Sequence, residues 1–346
     1  MSRIVFFLQG QRVPAARFRG FAIAQALADR GRDVSVRAPV PSVYGDWGFA
    51  RRVPGLRGLL SPLAALARLS QLRDLHTDDF IFFQRPMLEL PTARLEAFAS
   101  KGRSSLFDFD DAIYLNRTTR GKFPRIVDMV DWVVAGNRTL AEAANAPAKT
   151  KIIPTAVDTS QWTRQRTRDT NGKQVVVGWT GLSSNYRQLA IAVPAIARAL
   201  DVTGARFVLI SDAPPPSSLS ALRAEFVPWS PATELDDLAR LDIGVMPLPD
   251  GPYERGKCAF KLIQYMALGR PALASPVGAN AEVVTDGVDG FLPRTDDEWT
   301  SRLVSLIADP TLRDTIGTRA RDRIVDAYSL DAVVPLYLSL LPAQPP

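Results

Sequence analysis

Short apolar runs alternate with helical patterns along this chain, and they do so in two successive sets. In the first, IVFFLQ (4–9), DVSVRAP (33–39), FIFFQR (80–85), SSLFDFDDA (104–112) and DWVVAGN (131–137) read as strands, with the helical pattern FRGFAIAQALADRG (18–31) after the first of them. The second set holds KQVVVGWTG (173–181), ARFVLISD (205–212), DIGVMPLP (242–249) and RPALASPVG (270–278), with helices expected near 187–200 and 258–269. Near-continuous apolar strands are buried on both faces, and intervening helices supply the crossovers of a parallel sheet. The expected fold class is therefore α/β: two doubly wound, Rossmann-like domains with parallel sheets facing a central cleft, where ligands bind beyond the carboxyl ends of the strands. KIIPTAVDTSQW (151–162) ends a strand at Pro154, and the polar stretch to Lys173 has linker composition. The expected domains are 1–155 and 156–325, with 326–346 carrying a helix around 329–341 that returns to the first domain.

Composition removes several chemistries. The 346 residues include one cysteine, Cys258, and one histidine, His76, too few for a disulfide framework, a Cys/His zinc site or a Ser-His-Asp triad. No G-x-G-x-x-G turn follows a first strand and no P-loop is present, so hydride transfer and ATP hydrolysis lose their signatures. The apolar runs fall short of the roughly 18 residues of a spanning helix, and the amino terminus lacks secretory-signal features, so the chain reads as cytoplasmic. Charge is uneven: residues 1–156 carry 23 Lys/Arg against 14 Asp/Glu (net +9), and 157–346 carry 19 against 22 (net −3). The basic half suits an acidic partner, which could be nucleic acid, an anionic membrane or a phosphorylated substrate. The chain carries no recognised nucleic-acid module, which sets that partner aside.

The segment 252–292 is the most informative. Glu254-Arg255-Gly256 leads into an expected helix whose first two turns carry Lys257 and Lys261 on one face. With the amides of a helix amino terminus, two lysines there make a site for a diphosphate. Gln264 continues that face and suits ribose hydroxyls. GWTGLSSN (178–185) offers Gly181, Ser183 and Ser184 as a phosphate cradle, with Arg187 closing on the diphosphate. The plainer alternatives are a solvated lysine pair and an ordinary Gly-Ser turn at a strand end.

KCAFKLIQYMALGRPALASPVGANAEVVTDGVDGFL resembles the donor half of retaining GT-B glycosyltransferases of glycosyltransferase family 4, the group 1 glycosyltransferases. IIPTAVD (152–158), VVVGWTGLSSNYRQL (175–189) and DIGVMPL resemble other parts of that family in the same order. The resemblance implies a carboxy-terminal domain holding a sugar nucleotide (a UDP- or GDP-sugar), an amino-terminal domain holding the acceptor, and transfer to a hydroxyl with retention. No metal or other cofactor is required. Biosynthesis of a bacterial polysaccharide, glycolipid or natural product is the implied setting, with a glycan, a lipid-linked or a small-molecule acceptor. The family usually has two glutamates with seven residues between them; here those positions are Gly256 and Gln264. On this resemblance Lys257, Lys261, Gly181, Ser183, Ser184 and Arg187 bind the diphosphate. Glu254, Gly256, Cys258 and Ala259 meet the donor sugar, and Gln264 and Glu282 the ribose. The missing glutamates keep a second reading open, a degenerate relative that binds nucleotide or glycan without transfer.

Three segments of the amino-terminal half complete the reading. LFDFDDAIYL (106–115) ends a strand with Asp110 and Asp111, which could orient or deprotonate an acceptor hydroxyl or stabilise an oxocarbenium-like sugar, so they are the catalytic candidates. Two rival readings are a DxD metal motif at Asp108-Phe109-Asp110 and an Asp pair capping the next element. RVPAARFRG (12–20) places Arg12, Arg17 and Arg19 toward the acceptor side, for donor phosphate or a phosphorylated acceptor, or on a solvated helical turn. RRVPGLRGLLSPLAALARLSQLRDLH (51–76) has Arg51, Arg52, Arg57, Arg68 and Arg73 and no acid before Asp74. Leu59, Leu63, Leu66 and Leu69 either dock this helix on the sheet or meet the inner face of a membrane peripherally.

Overall fold

The computed structural model describes residues 2–10, 13–38, 56–163 and 174–343, with side chains of the helix Leu56–Ser70 described from residue 63. Arg12, Arg51, Arg52, the linker stretch 164–173 and the side chains of Arg57 and Leu59 lie outside the described residues. The chain divides into two compact units, one of Met1–Ala156 with Leu330–Pro346, the other Val157–Ser329.

In the first unit, β1 (Ile4–Phe7), β2 (Val34–Arg37), β3 (Phe80–Gln84), β4 (Ser105–Phe109), β5 (Trp132–Ala135) and β6 (Thr150–Ile152) form a parallel sheet. Its order is β2-β1-β3-β4-β5-β6. Every residue of β1, β3 and β4 is buried, which is why these stretches lack polar alternation. Phe6 stacks on Phe82 with ring centroids 4.2 Å apart, and Phe82 meets Tyr337 of the helix Leu330–Leu338 at 5.8 Å. The terminal helix thus buries its apolar face in this unit, Val333, Val334 and Tyr337 joining the core of β1 and β3. Strand order reverses between β1 and β3, so the switch-point crevice of this sheet lies beyond Phe7 and Gln84.

The second unit is built on β7 (Val176–Thr180), β8 (Arg206–Ser211), β9 (Glu225–Pro228), β10 (Ile243–Met246) and β11 (Ala272–Ala274), all parallel. The order β11-β10-β7-β8-β9 puts its switch point between β7 and β10. The helix expected near 187–200 is two helices, Tyr186–Ala190 and Val193–Thr203. Pro194 explains the break: it lacks an amide donor, and its ring would clash with the carbonyl four residues earlier. Gly244 on β10 leaves room for the Tyr265 ring, which a Cβ would meet at 2.2 Å. So seated, Tyr265 accepts the Thr180 amide at the end of β7 (2.9 Å), tying the helix Phe260–Ala267 to the switch point.

The stripe of leucines in the helix Leu56–Ser70 is the main departure from expectation. Leu63, Leu66 and Leu69 are 54%, 61% and 49% exposed, so the described leucines do not dock this helix. Arg68 does: fully buried, it donates to the carbonyls of Met87 (3.2 Å), Arg37 (2.9 Å) and Leu8 and to Gln71 Oε1 (2.9 Å). Burial pulls its guanidinium down to about 10. Among the described residues no helix is long and apolar enough to cross a membrane.

Candidate functional site

In the second unit the candidate residues gather where β7 and β10 end. β7 closes with Trp179-Thr180-Gly181, and Lys261 extends from the start of the helix Phe260–Ala267 so that its Nζ lies 5.4 Å from the Trp179 ring centroid. Glycine is required at 181: its φ is +157°, and a Cβ would stand 2.7 Å from Trp179 Cη2 and 2.8 Å from Lys261 Cε. The missing side chain lets the lysine stem lie across the end of the strand, and the helix amino terminus adds its partial positive charge beside the ammonium. Ala259, in front of that helix, is fully buried with φ +52°, a left-handed conformation that costs an alanine about 1 kcal/mol or more and fixes where the helix starts.

That start corrects the expected lysine pair. Lys257 precedes the helix, in the turn after the short helix Pro252–Arg255, and its Nζ lies 4.6 Å from the centroid of the Tyr253 ring. The two lysines do not share a helix face. Gly256, Cys258 and Ala259 are buried in the same turn. Glu254 is buried and accepts from Gln188 Nε2 (3.1 Å) and, at 3.4 Å, from the largely exposed Arg187.

The Gly-Ser turn is also built differently from the cradle expected of it. The Gly181 amide donates to the Ile210 carbonyl (3.1 Å), the Ser183 amide to Asp212 Oδ1 (2.6 Å) and the Asn185 amide to Leu182 (2.8 Å). Three of its amides are therefore spent within the unit; Ser184 is exposed. Gln264, expected to meet ribose hydroxyls, is 2% exposed, and its Nε2 donates to Glu234 Oε1 (3.2 Å), which also accepts from Trp229 Nε1 (3.2 Å). Glu282 is exposed in the helix Asn280–Val283, its main-chain carbonyl accepting from Arg323 and Tyr328.

In the first unit Asp110 and Asp111 follow β4. Asp110 Oδ1 accepts from Arg85 Nε at 2.8 Å, and Asp111 lies 3.8 Å from the same guanidinium while accepting the Ala112 amide (3.0 Å). Arg85 follows β3 with φ +62°, its amide held by the Asp108 carbonyl (2.8 Å). A cation and two carboxylates thus stand together at the carboxyl ends of β3 and β4. Arg19 is corrected: 1% exposed, it forms a bidentate pair with Asp108 (2.8 and 2.7 Å) and donates to the Ile153 carbonyl (2.9 Å). Tyr337 donates to the same Asp108 carboxylate (2.7 Å). Burial pushes both the Asp108 carboxyl and the Tyr337 hydroxyl up, against the pull of the Arg19 charge. With Asp108 taken by Arg19 and Tyr337, the Asp108-Phe109-Asp110 triplet does not present two open carboxylates to a metal. Arg17 lies in the π-helical turn Ala16–Phe21, its guanidinium 5.0 Å from the Phe18 ring centroid.

Sequence reasoning missed Trp179, Glu234, Trp229, Gln188 and Arg85. Trp179 and Arg85 had a signal, each standing at the end of an apolar strand run. Glu234 had none, since its partner Gln264 lies 30 residues on, and Trp229 joins them only through Glu234.

Lys261 thus stands over an aromatic ring beside a helix amino terminus, at the switch point of a doubly wound α/β sheet. Residues 174–309 match the family described as Glycosyl transferases group 1. No curated protein sequence matches the chain. Among solved structures, Anabaena Alr3699/HepE in complex with UDP-glucose is similar at 18% identity, covering 99% of this chain and 100% of that one with a TM-score of 0.71. Sucrose-phosphate synthase from Thermosynechococcus elongatus is similar at 15% identity, 98% coverage of both chains and a TM-score of 0.72. TarM from S. aureus, in a complex that holds UDP, is 11% identical over 79% of this chain and 58% of its own, with a TM-score of 0.63. The fold is that of the GT-B glycosyltransferases.

Proposed function

We propose that this chain is a glycosyltransferase that moves a sugar from a nucleoside-diphosphate sugar to an acceptor hydroxyl with retention of configuration and without a metal. The observation that carries the reading is Lys261, held across Trp179 and Gly181 at the switch point of the unit that matches the group 1 glycosyl transferases. As the bond from the sugar's anomeric carbon to the diphosphate oxygen breaks, negative charge grows on the leaving diphosphate. Lys261, Arg187 and the helix amino terminus stabilise it in place. The acceptor oxygen bonds to the anomeric carbon and its proton passes to a carboxylate, for which Asp110 and Asp111 are the candidates. Residues 157–329 take the donor; the first unit takes the acceptor, a glycan, a lipid-linked or a small-molecule hydroxyl in polysaccharide, glycolipid or natural-product biosynthesis. HepE is named in complex with UDP-glucose, so UDP-glucose is the first donor to try.

The test is a thermal-shift panel of UDP, GDP and ADP and their glucose conjugates with and without EDTA, followed by proton NMR of the reaction with a bound donor. A ligand that binds only the native state raises the melting temperature by mass action. Expected are a metal-insensitive shift with one nucleoside diphosphate and a product with the donor's anomeric configuration. A chain that binds none of them, or that binds one and never consumes its sugar, refutes the reading.

A further inference from the structure

We propose that the face formed by the helices Leu56–Ser70 and Arg94–Ser100 docks on an anionic lipid bilayer. Arg68 fixes the orientation of the first helix from its buried side, through main-chain carbonyls of Leu8, Arg37 and Met87. With that side held, Leu63, Leu66 and Leu69 are turned outward. Phe98, on the second helix, is 58% exposed, and an apolar groove runs between Leu69, Leu72, Leu95 and Phe98 with Arg73 and Arg94 at its sides. Outward leucines at helical spacing beside a phenylalanine form an apolar patch that single scattered surface residues do not.

Charge selects the occupant. The one acid on these two helices, Glu96, is buried against Lys122 Nζ at 2.7 Å, so it offers nothing to the surface. The charged residues lining the groove are Arg73 and Arg94, both exposed; Asp74, next along the chain, is 64% exposed and paired with Arg37. From 51 to 73 the sequence holds five arginines and no acid. Apolar side chains framed by cations match the boundary between acyl chains and anionic headgroups. A second copy of the chain fits poorly, because a two-fold contact would set this basic rim against itself.

The experiment is co-sedimentation of the full chain with vesicles of phosphatidylglycerol and phosphatidylcholine, and with phosphatidylcholine alone, at low and high salt. The expected result is binding to the anionic vesicles that weakens with salt. Leu66→Asp should weaken it at least tenfold, and Arg73→Gln and Arg94→Gln about fivefold each. These side chains are on the surface, so the variants should keep the native melting temperature and the native shift with the nucleotide, which separates this proposal from the glycosyltransferase reading. Absence of binding to anionic vesicles overturns it, as does binding that Leu66→Asp leaves unchanged. So does a dimer that Leu66→Asp dissolves, or a Leu66→Asp chain that melts at lower temperature because the patch is covered by residues of its own chain.

Discussion

Lys261→Met separates the two things the lysine does. Methionine keeps an unbranched stem across Trp179 and Gly181 and removes only the ammonium, whose Nζ lies 5.4 Å from the Trp179 ring centroid. That cation–π contact contributes about 0.5–1 kcal/mol at a half-exposed position, so folding stability should fall by no more than that. A charge-assisted hydrogen bond to a phosphate oxygen contributes about 1.5–3 kcal/mol, which is roughly ten- to 140-fold in dissociation constant. Ligand affinity should therefore suffer far more than the fold. Isothermal titration of UDP, UMP and uridine into the native chain, Lys261→Met and Lys257→Met measures it. UDP binding should drop by at least tenfold in Lys261→Met, uridine binding should hardly change, and Lys257→Met, with its ammonium over Tyr253, should lose less. Equal losses for uridine and UDP would refute a phosphate role for Lys261, and so would a UDP affinity unchanged within about threefold.

Gly181→Ala places a Cβ 2.7 Å from Trp179 and 2.8 Å from Lys261, so it should cost about 1–3 kcal/mol in urea unfolding and weaken UDP by displacing the same two side chains. Arg19→Met strands the Asp108 carboxylate at 0% exposure and should cost about 3–5 kcal/mol; Arg19→Met with Asp108→Asn should cost less than the two single changes added together. Asp79 has its pKa lowered: burial pushes it up, but hydrogen bonds from Arg3 and the His76 amide and the Arg3 charge outweigh that. Its contribution is thus complete above the unfolded carboxyl's 3.8 and disappears as pH falls through the folded value, so the stability gap between the native chain and Asp79→Asn should close in acid.

The sheets were legible because their strands are buried on both faces. IVFF, FIFFQ and VVGWT can hardly be anything else, and nothing in them alternates. Helix faces were harder, because one position can reverse them. In the helix Leu56–Ser70 an apolar stripe predicts an inward leucine face, yet the main-chain carbonyls of Leu8, Arg37 and Met87 and the side-chain oxygen of Gln71 form a polar socket that a multidentate cation fills. The arginine enters, and the leucines turn out. Lys257 and Lys261 failed for a related reason: four residues apart places two side chains on one face only if the helix covers both, and the left-handed Ala259 starts the helix between them. Lys261 and Trp179 could each be read from sequence, one at an expected helix start and the other at a strand end, whereas their contact could not, since 82 residues separate them.

The resemblance leads to glutamates at 256 and 264, and two other carboxylates stand near those positions. Glu254 stands two residues before Gly256, buried and held by Gln188 and Arg187, and Glu234 reaches the Gln264 amide from the helix Glu234–Ala239. A glutamine at 264 is therefore the residue that fits: it donates Nε2 to a carboxylate that a glutamate would repel. Gln264→Glu, which restores the family's residue, should be harmful, because a second carboxylate about 3 Å from Glu234 in a buried site must take up a proton or stay unpaired. The expected cost is on the order of 3 kcal/mol in urea unfolding. Adding Glu234→Gln to that variant swaps the two side chains and leaves one carboxylate facing one amide, so most of the loss should return, along with nucleotide binding. Failure of the second change to recover stability would show that Glu234 is held by Trp229 for another purpose, and that Gln264 is fixed by packing and not by its carboxylate partner.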